Sequence, residues 1–208
     1  MDDCRGGHRH PAIRGLEKPG SPSRGPPFGD DTLSDARHEL IRGLIRDVPD
    51  FPKPGILFKD ISPLLADAEG FRTSVELLAE AAADLEADMI AGPEARGFIF
   101  GTPLAQRLEL GFAPIRKPGK LPWTTLEETY ELEYGTDSLQ IHDDAFQPGQ
   151  RVLLVDDLLA TGGTMAACAR LVAKTGAQVV GALFVVELAF LNGRRALSDL
   201  PTRSLLSY

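Results

Sequence analysis

The sequence predicts an α/β fold, a mostly parallel twisted sheet flanked by helices, built as one domain over residues 31–208. Three observations carry this. Val152-Leu153-Leu154-Val155 are four aliphatic residues without alternation, the pattern of a strand covered on both faces, as helices cover a parallel sheet. Short runs of this kind alternate with apolar residues at helical spacing, which gives two βαβ units and right-handed crossovers. The run at 152–155 then passes into Asp156-Asp157 and a glycine-containing turn ahead of an amphipathic stretch. Two carboxylates and a loop thus emerge at the carboxyl end of a strand, where open α/β sheets hold ligands.

Each element follows in turn. Residues 1–29 hold five Pro, six Gly, five basic and three acidic side chains and no apolar run, so residues 1–30 are read as a disordered tail. His8 and His10 in that tail have no scaffold on which to hold a metal. Thr32 is placed as the cap of a first helix with Leu33, Leu40, Ile41, Leu44 and Ile45 on one face. Phe71, Val75, Leu78, Ala82 and Leu85 mark a second. Met89-Ile90-Ala91 reads as a strand, the residues to Gly97 as a turn, Phe98 to Leu108 as a helix stopped by Gly111, and Phe112 to Ile115 as the next strand. Lys117 to Glu128 lacks core periodicity and reads as a long loop of the kind that carries function. A strand from Arg151 to Val155, a helix from Thr164 to Thr175 and a strand from Val179 to Glu187 repeat the pattern.

A composition of 43% hydrophobic and 25% charged residues over 208 positions suits one well-formed core. The formal charge of -8 argues against a broad nucleic-acid surface, which needs clustered Lys and Arg. A polyanionic ligand must then be held by local devices: backbone amides, a few basic side chains and a divalent cation. Residues 1–29 contain no apolar run that reads as a signal peptide or a membrane span. Cys4 and Cys168 are too few for a disulfide framework, so a reducing, cytoplasmic compartment is expected. Cys168 shares the apolar stripe of Met165, Leu171 and Val172 and reads as core.

Thr161-Gly162-Gly163-Thr164 supplies two hydroxyls and two glycines just before that stripe, so loop N–H groups and a helix N-terminus can converge on one anion. A phosphate fits there, with a sugar's hydroxyls beside it against Asp156 and Asp157. The string has neither the Lys of a GxxxxGK[ST] loop nor a GxGxxG run, which weakens the triphosphatase and dinucleotide readings.

Taken together, Val152 to Thr164 resembles the phosphoribosyl-pyrophosphate (PRPP) signature of the type I phosphoribosyltransferases. Phe51 to Pro63, Ala91 to Phe98, Arg116 to Pro122 and Tyr130 to Gly135 resemble the adenine-specific members of that family, in matching order from about Leu33 to Tyr208. The resemblance implies the type I phosphoribosyltransferase fold with a small N-terminal hood and a flexible active-site loop. It also implies transfer of a 5-phosphoribosyl group from PRPP to N9 of adenine, giving AMP and pyrophosphate in purine salvage. A homodimer is expected, with adenine and PRPP as small-molecule partners and neither nucleic acid nor membrane.

The same resemblance assigns roles. Asp156 and Asp157 bind the ribose hydroxyls, and Ala160, Thr161, Gly162, Gly163 and Thr164 hold the 5′-phosphate. Ala95, Arg96 and Gly97 bind pyrophosphate, Arg96 also serving catalysis. Arg116, Lys117 and Lys120 add charge, in part across a dimer interface. The peptide between Glu94 and Ala95 matches the family's cis bond. Phe58 stacks on adenine while the backbone of Leu57 and Lys59 reads its edge. Glu133, on the mobile loop with Tyr130 and Tyr134, handles the proton at the base. Mg2+ is held mainly by PRPP and water, with indirect contact from Asp156 and Asp157. By residue type alone Arg96 is a surface arginine, Phe58 a core aromatic and Glu133 a solvated acid.

Three positions depart from relatives. Pro118 stands where family members usually carry Arg, Lys59 where Arg is more familiar, and Ala160 where many 6-oxopurine enzymes carry Asp. The last favours adenine. The alternatives are a phosphoribosyltransferase for another purine such as xanthine, and a non-catalytic PRPP-sensing regulator.

Overall fold

Burial on both faces, required by the unalternating run at 152–155, is met in the computed structural model, which describes residues 31–131 and 135–208. The expectations for the tail at 1–30, including His8 and His10, and for Glu133 and Tyr134 lie outside those residues. The run belongs to β7 (Arg151–Leu159), the middle strand of a five-stranded sheet. Its neighbours are β3 (Met89–Pro93) and β4 (Gly111–Ile115) on one side and β8 (Gln178–Glu187) and β9 (Thr202–Ser207) on the other, in the order β4-β3-β7-β8-β9. Every pairing in it is parallel.

The pleat divides β7 between two cores. Val152 and Leu154 pack with Met165, Cys168, Leu171 and Val172 of α5 (Gly163–Lys174) and with Leu139 and Ile141 of β6 (Thr136–His142). Leu153 and Val155 pack with Ile41 of α1 (Asp31–Gly43), with Leu77 and Leu78 of α3 (Ala68–Ala82), and with Phe100 and Leu104 of α4 (Arg96–Arg107). Cys168 is fully buried, and burial pushes its thiol far up, as a core cysteine requires.

The hood is a separate antiparallel hairpin of β1 (Arg46–Pro49) and β2 (Leu57–Asp60), in which Asp47 faces Lys59. Its turn is held by Asp50, at φ 58, whose Oδ1 accepts the Gly55 N–H at 2.7 Å. β2 has no strand on its outer edge among the described residues. A second hairpin pairs β5 (Thr125–Glu131) with β6 and rests on α5.

Several boundaries move. Thr32 lies inside α1, not at its cap. Leu40 of the expected apolar face is exposed, while Ile41 is buried. α4 starts at Arg96, two residues before Phe98, and Glu109, at φ 57, makes the left-handed turn expected of Gly111. The long loop from Lys117 ends at Thr124, because Thr125 to Glu128 already pair with β6. β7 runs on to Leu159, so Asp156 and Asp157 lie within the strand. The strands β1, β2 and β9, and the short α2 (Ser62–Ala66) started by Pro63, were not foreseen.

Candidate active site

The sheet's carboxyl edge gathers the acids and both glycine loops. Asp157 is 2% exposed and Asp156 half-buried. Loss of solvent and the neighbouring Asp157 charge push Asp156 well above the usual carboxylate range. Asp157 is also raised by burial, an effect opposed by Arg96. Arg96 Nε lies 3.0 Å from Asp157 Oδ2 as an ion pair without hydrogen-bond alignment, and that buried oxygen has no hydrogen bond. The Asp157 N–H donates to Asp156 Oδ1 at 2.9 Å, which turns the Asp156 carboxylate along the strand.

A cavity of about 190 Å3 opens beside these groups, walled by Arg96, Asp156, Asp157 and the whole turn from Ala160 to Thr164. Water occupies roughly 30 Å3 in the liquid, so a phosphate-sized anion enters with room to spare. The N-termini of α4 and α5 both start at this wall, adding two positive helix ends.

Close backbone approach builds the wall. Gly97 lets the first turn of α4 reach β7: a Cβ there would come within 2.9 Å of the Val155 carbonyl and 3.2 Å of Asp156 Oδ1. Gly162, at φ 82, starts α5, and a Cβ on it would collide with the Gly193 carbonyl. The collision is mutual, since a Cβ on Gly193 would meet the Ala160 carbonyl and Leu159. Behind Gly193, Arg194 is held in a fork by Glu187 at 2.7 and 2.6 Å and donates to the Thr202 carbonyl at 2.6 Å. The approach of Gly193 to Ala160 and Gly162 was not foreseen, because about thirty residues separate the two turns in the chain.

The outer basic residues take separate positions. The Glu94–Ala95 peptide is cis, as expected, and Arg116 Nε pairs with Glu94 at 2.5 Å, which ties Arg116 to the loop of Ala95, Arg96 and Gly97. Lys117 Nζ reaches Asp137 on β6 at 3.0 Å, raising its own pKa and lowering that of Asp137. Lys120 is exposed, and its carbonyl accepts from Arg116. None of these three lines the cavity. Tyr130 of β5 does approach the loop from Ala160 to Thr164: its hydroxyl accepts from Thr164 Oγ1 at 3.4 Å, and burial raises its pKa.

Leu57, Phe58 and Lys59 lie in β2 and do not line the cavity either. Leu57 is 47% exposed, and Phe58 is half-buried, its ring edge-on to Phe51 with centroids 5.1 Å apart. The Lys59 side chain is buried, with Nζ 2.5 Å from Asp47 Oδ1. Among the described residues no group of three or more His, Cys, Asp or Glu could hold a metal ion by itself.

Fold and cavity define a phosphoribosyl transferase, and the model of the phosphoribosyl transferase domain family matches residues 65–199. The chain is 57% identical over 164 residues to the adenine phosphoribosyltransferase of Desulfitobacterium hafniense, covering 79% of this chain and 95% of that protein. The crystal structure of adenine phosphoribosyltransferase from Thermoanaerobacter pseudethanolicus superposes with a TM-score of 0.80 at 57% identity, over 82% of this chain and 99% of that one. The enzyme of that name from Saccharomyces cerevisiae, solved with adenine and an imino-altritol bisphosphate, gives 0.78 at 39% identity over 83% and 99%. The chain belongs to the adenine phosphoribosyltransferase family.

Proposed function

We propose that the protein transfers the 5-phosphoribosyl group of PRPP to N9 of adenine, with residues 31–208 as its single catalytic domain. The observation that carries this is the cavity in which Asp156, Asp157, Arg96 and the loop Ala160 to Thr164 share one wall. The 5′-phosphate takes the loop N–H groups and the hydroxyls of Thr161 and Thr164. The ribose hydroxyls donate to Asp156 and to Asp157, whose Oδ2 accepts no hydrogen bond within the protein. Pyrophosphate is held by the Ala95, Arg96 and Gly97 loop, and Arg116, Lys117 and Lys120 close over it.

As the C1′–oxygen bond to pyrophosphate breaks and the N9–C1′ bond forms, positive charge grows on the sugar and negative charge on the leaving group. Binding of the hydroxyls keeps Asp156 and Asp157 ionised under the cation, and Arg96 meets the anion. Glu133 accepts the N9 proton. The buried pair, with one oxygen that accepts no hydrogen bond, fits a hard cation that would be bound mostly by substrate oxygens and water, the habit of Mg2+. When bound, that ion neutralises charge on pyrophosphate.

Adenine lies on Phe58, and the open outer edge of β2 offers the backbone of Leu57 and Lys59 to its edge. A 6-oxo group there would oppose a carbonyl and leave polar atoms unpaired, which disfavours hypoxanthine, guanine and xanthine. The function reads as purine salvage by a cytoplasmic homodimer.

Product formation from PRPP and Mg2+ with adenine, hypoxanthine, guanine or xanthine, supplied separately, tests the reading. AMP from adenine alone supports it. Product from a 6-oxopurine sinks the base assignment, and PRPP binding without any product favours a regulator. Glu133→Gln is expected to lower kcat by on the order of 100-fold or more with PRPP affinity within twofold; equal losses in both would remove Glu133 from the chemistry.

A further inference from the structure

The hairpin β1–β2 shares no hydrogen-bonded ladder with the five-stranded sheet, yet Leu57, Phe58 and Lys59 must keep a fixed position over the ribose site if they bind a base. Some contact has to fix that distance. Hydrogen bonds root Tyr208 at the sheet's carboxyl edge: its N–H donates to the Glu187 carbonyl at 2.9 Å, and its own carbonyl accepts the Ala189 N–H at 2.9 Å. Glu187 pairs with Leu159, one residue before the phosphate loop. The side chain of Tyr208 points the other way, into the hood. Lys59 Nζ lies 3.8 Å from its ring centroid, and the Arg42 guanidinium carbon of α1 lies 5.5 Å from it.

We infer that Tyr208 is a positioning residue for adenine: its ring docks the base-reading strand β2, through Lys59, onto the edge of the sheet that carries the PRPP site. Lys59 suits this because its side chain is 8% exposed and its charge is shared between the ring face and Asp47 on the facing strand. A desolvated ammonium over an aromatic face is held more strongly than an exposed one. The side chain of Lys59 therefore fixes the place of its own backbone, which is the part offered to the base. Tyr208 touches neither substrate, so its loss misplaces the adenine edge and leaves the phosphate loop, the acids and Arg96 as they are.

This rests on the proposed adenine transfer, and the test separates the two. Steady-state kinetics of AMP formation on full-length wild type, Tyr208→Leu, Tyr208→Phe and Lys59→Met are expected to behave differently for the two substrates. Tyr208→Leu should raise KM for adenine about tenfold, with KM for PRPP and kcat at saturating adenine within twofold. Tyr208→Phe keeps the ring and should match wild type. Lys59→Met keeps the stem and backbone but removes the cation, and should raise KM for adenine alone; it reads the same contact if Tyr208→Leu fails to fold. The double variant Lys59→Met/Tyr208→Leu should be no worse than the poorer single one. An unchanged adenine KM in either single variant overturns the inference, as does a Tyr208→Phe protein as impaired as Tyr208→Leu. So does a parallel loss for both substrates, which marks general loosening. Wild type that forms no AMP sinks the transfer reading instead.

Discussion

Asp156 and Asp157 show how two adjacent buried carboxylates work against the stability of the fold that carries them. Both carboxyls are raised by burial, and Asp156 further by its neighbour, so the pair holds a repulsion that hydroxyl donors and cations relieve. Because the folded pKa of Asp156 lies above the unfolded one, its contribution to stability is fully present below about pH 3.9 and is lost as pH rises through the raised value. Asp156→Asn, which keeps an acceptor for the Asp157 N–H, should therefore raise Tm at pH 7.5. The rise should be about 2–4 °C for each kcal/mol of repulsion removed, with activity down by on the order of 100-fold. Thermal melts at pH 7.5 and pH 3.5 check this: the gain should vanish at the lower pH, and a gain of equal size at both would refute the charge explanation. The residues of this wall from Asp156 to Thr164 were legible in the sequence because they are contiguous, so their spacing alone brings them together. Gly193 and Tyr208 were not, since each acts on a segment that its own neighbours in the chain do not reveal.

Among the elements, the loop from Ala160 to Thr164 and the turn containing Gly193 form one unit. Gly193→Ala would drive a methyl group into the Ala160 carbonyl and Leu159, and backbone atoms there cannot swing aside as a flexible side chain can. The expected cost is about 1–3 kcal/mol of stability, with KM for PRPP raised at least tenfold and KM for adenine nearly unchanged. Wild-type PRPP kinetics in this variant would show that the turn is not part of the phosphate site's support. Strands β3, β4, β7 and β8 could be read from their aliphatic runs. β1, β2 and β9 escaped because they are four to six residues long and only Leu206 and Lys59 among them are buried. β5 escaped as a strand because five of the seven residues in Thr125–Glu131 are polar or charged, and the side of the hairpin away from α5 is open to solvent.

For the whole molecule, the five-stranded sheet and the hood are bound to differ in how easily they open. The sheet is covered on both faces, whereas a two-stranded hairpin has little stability of its own. Native-state hydrogen exchange should show amides of Arg46–Pro49 and Leu57–Asp60 opening several kcal/mol below those of Val152–Val155. Equal protection in both would mean that the hood unfolds only with the sheet. The parallel sheet was readable from repeated βαβ units, but its strand order was not, because order depends on which distant aliphatic faces meet. That distance also has a cost during synthesis. α1 and Lys59 leave the ribosome early, while β9 and Tyr208, against which they pack, follow about 150 residues later. At roughly 5–20 residues per second, the nascent hood waits on the order of ten seconds or more with its docking face uncovered, a window in which a chaperone or a second nascent chain can reach it first.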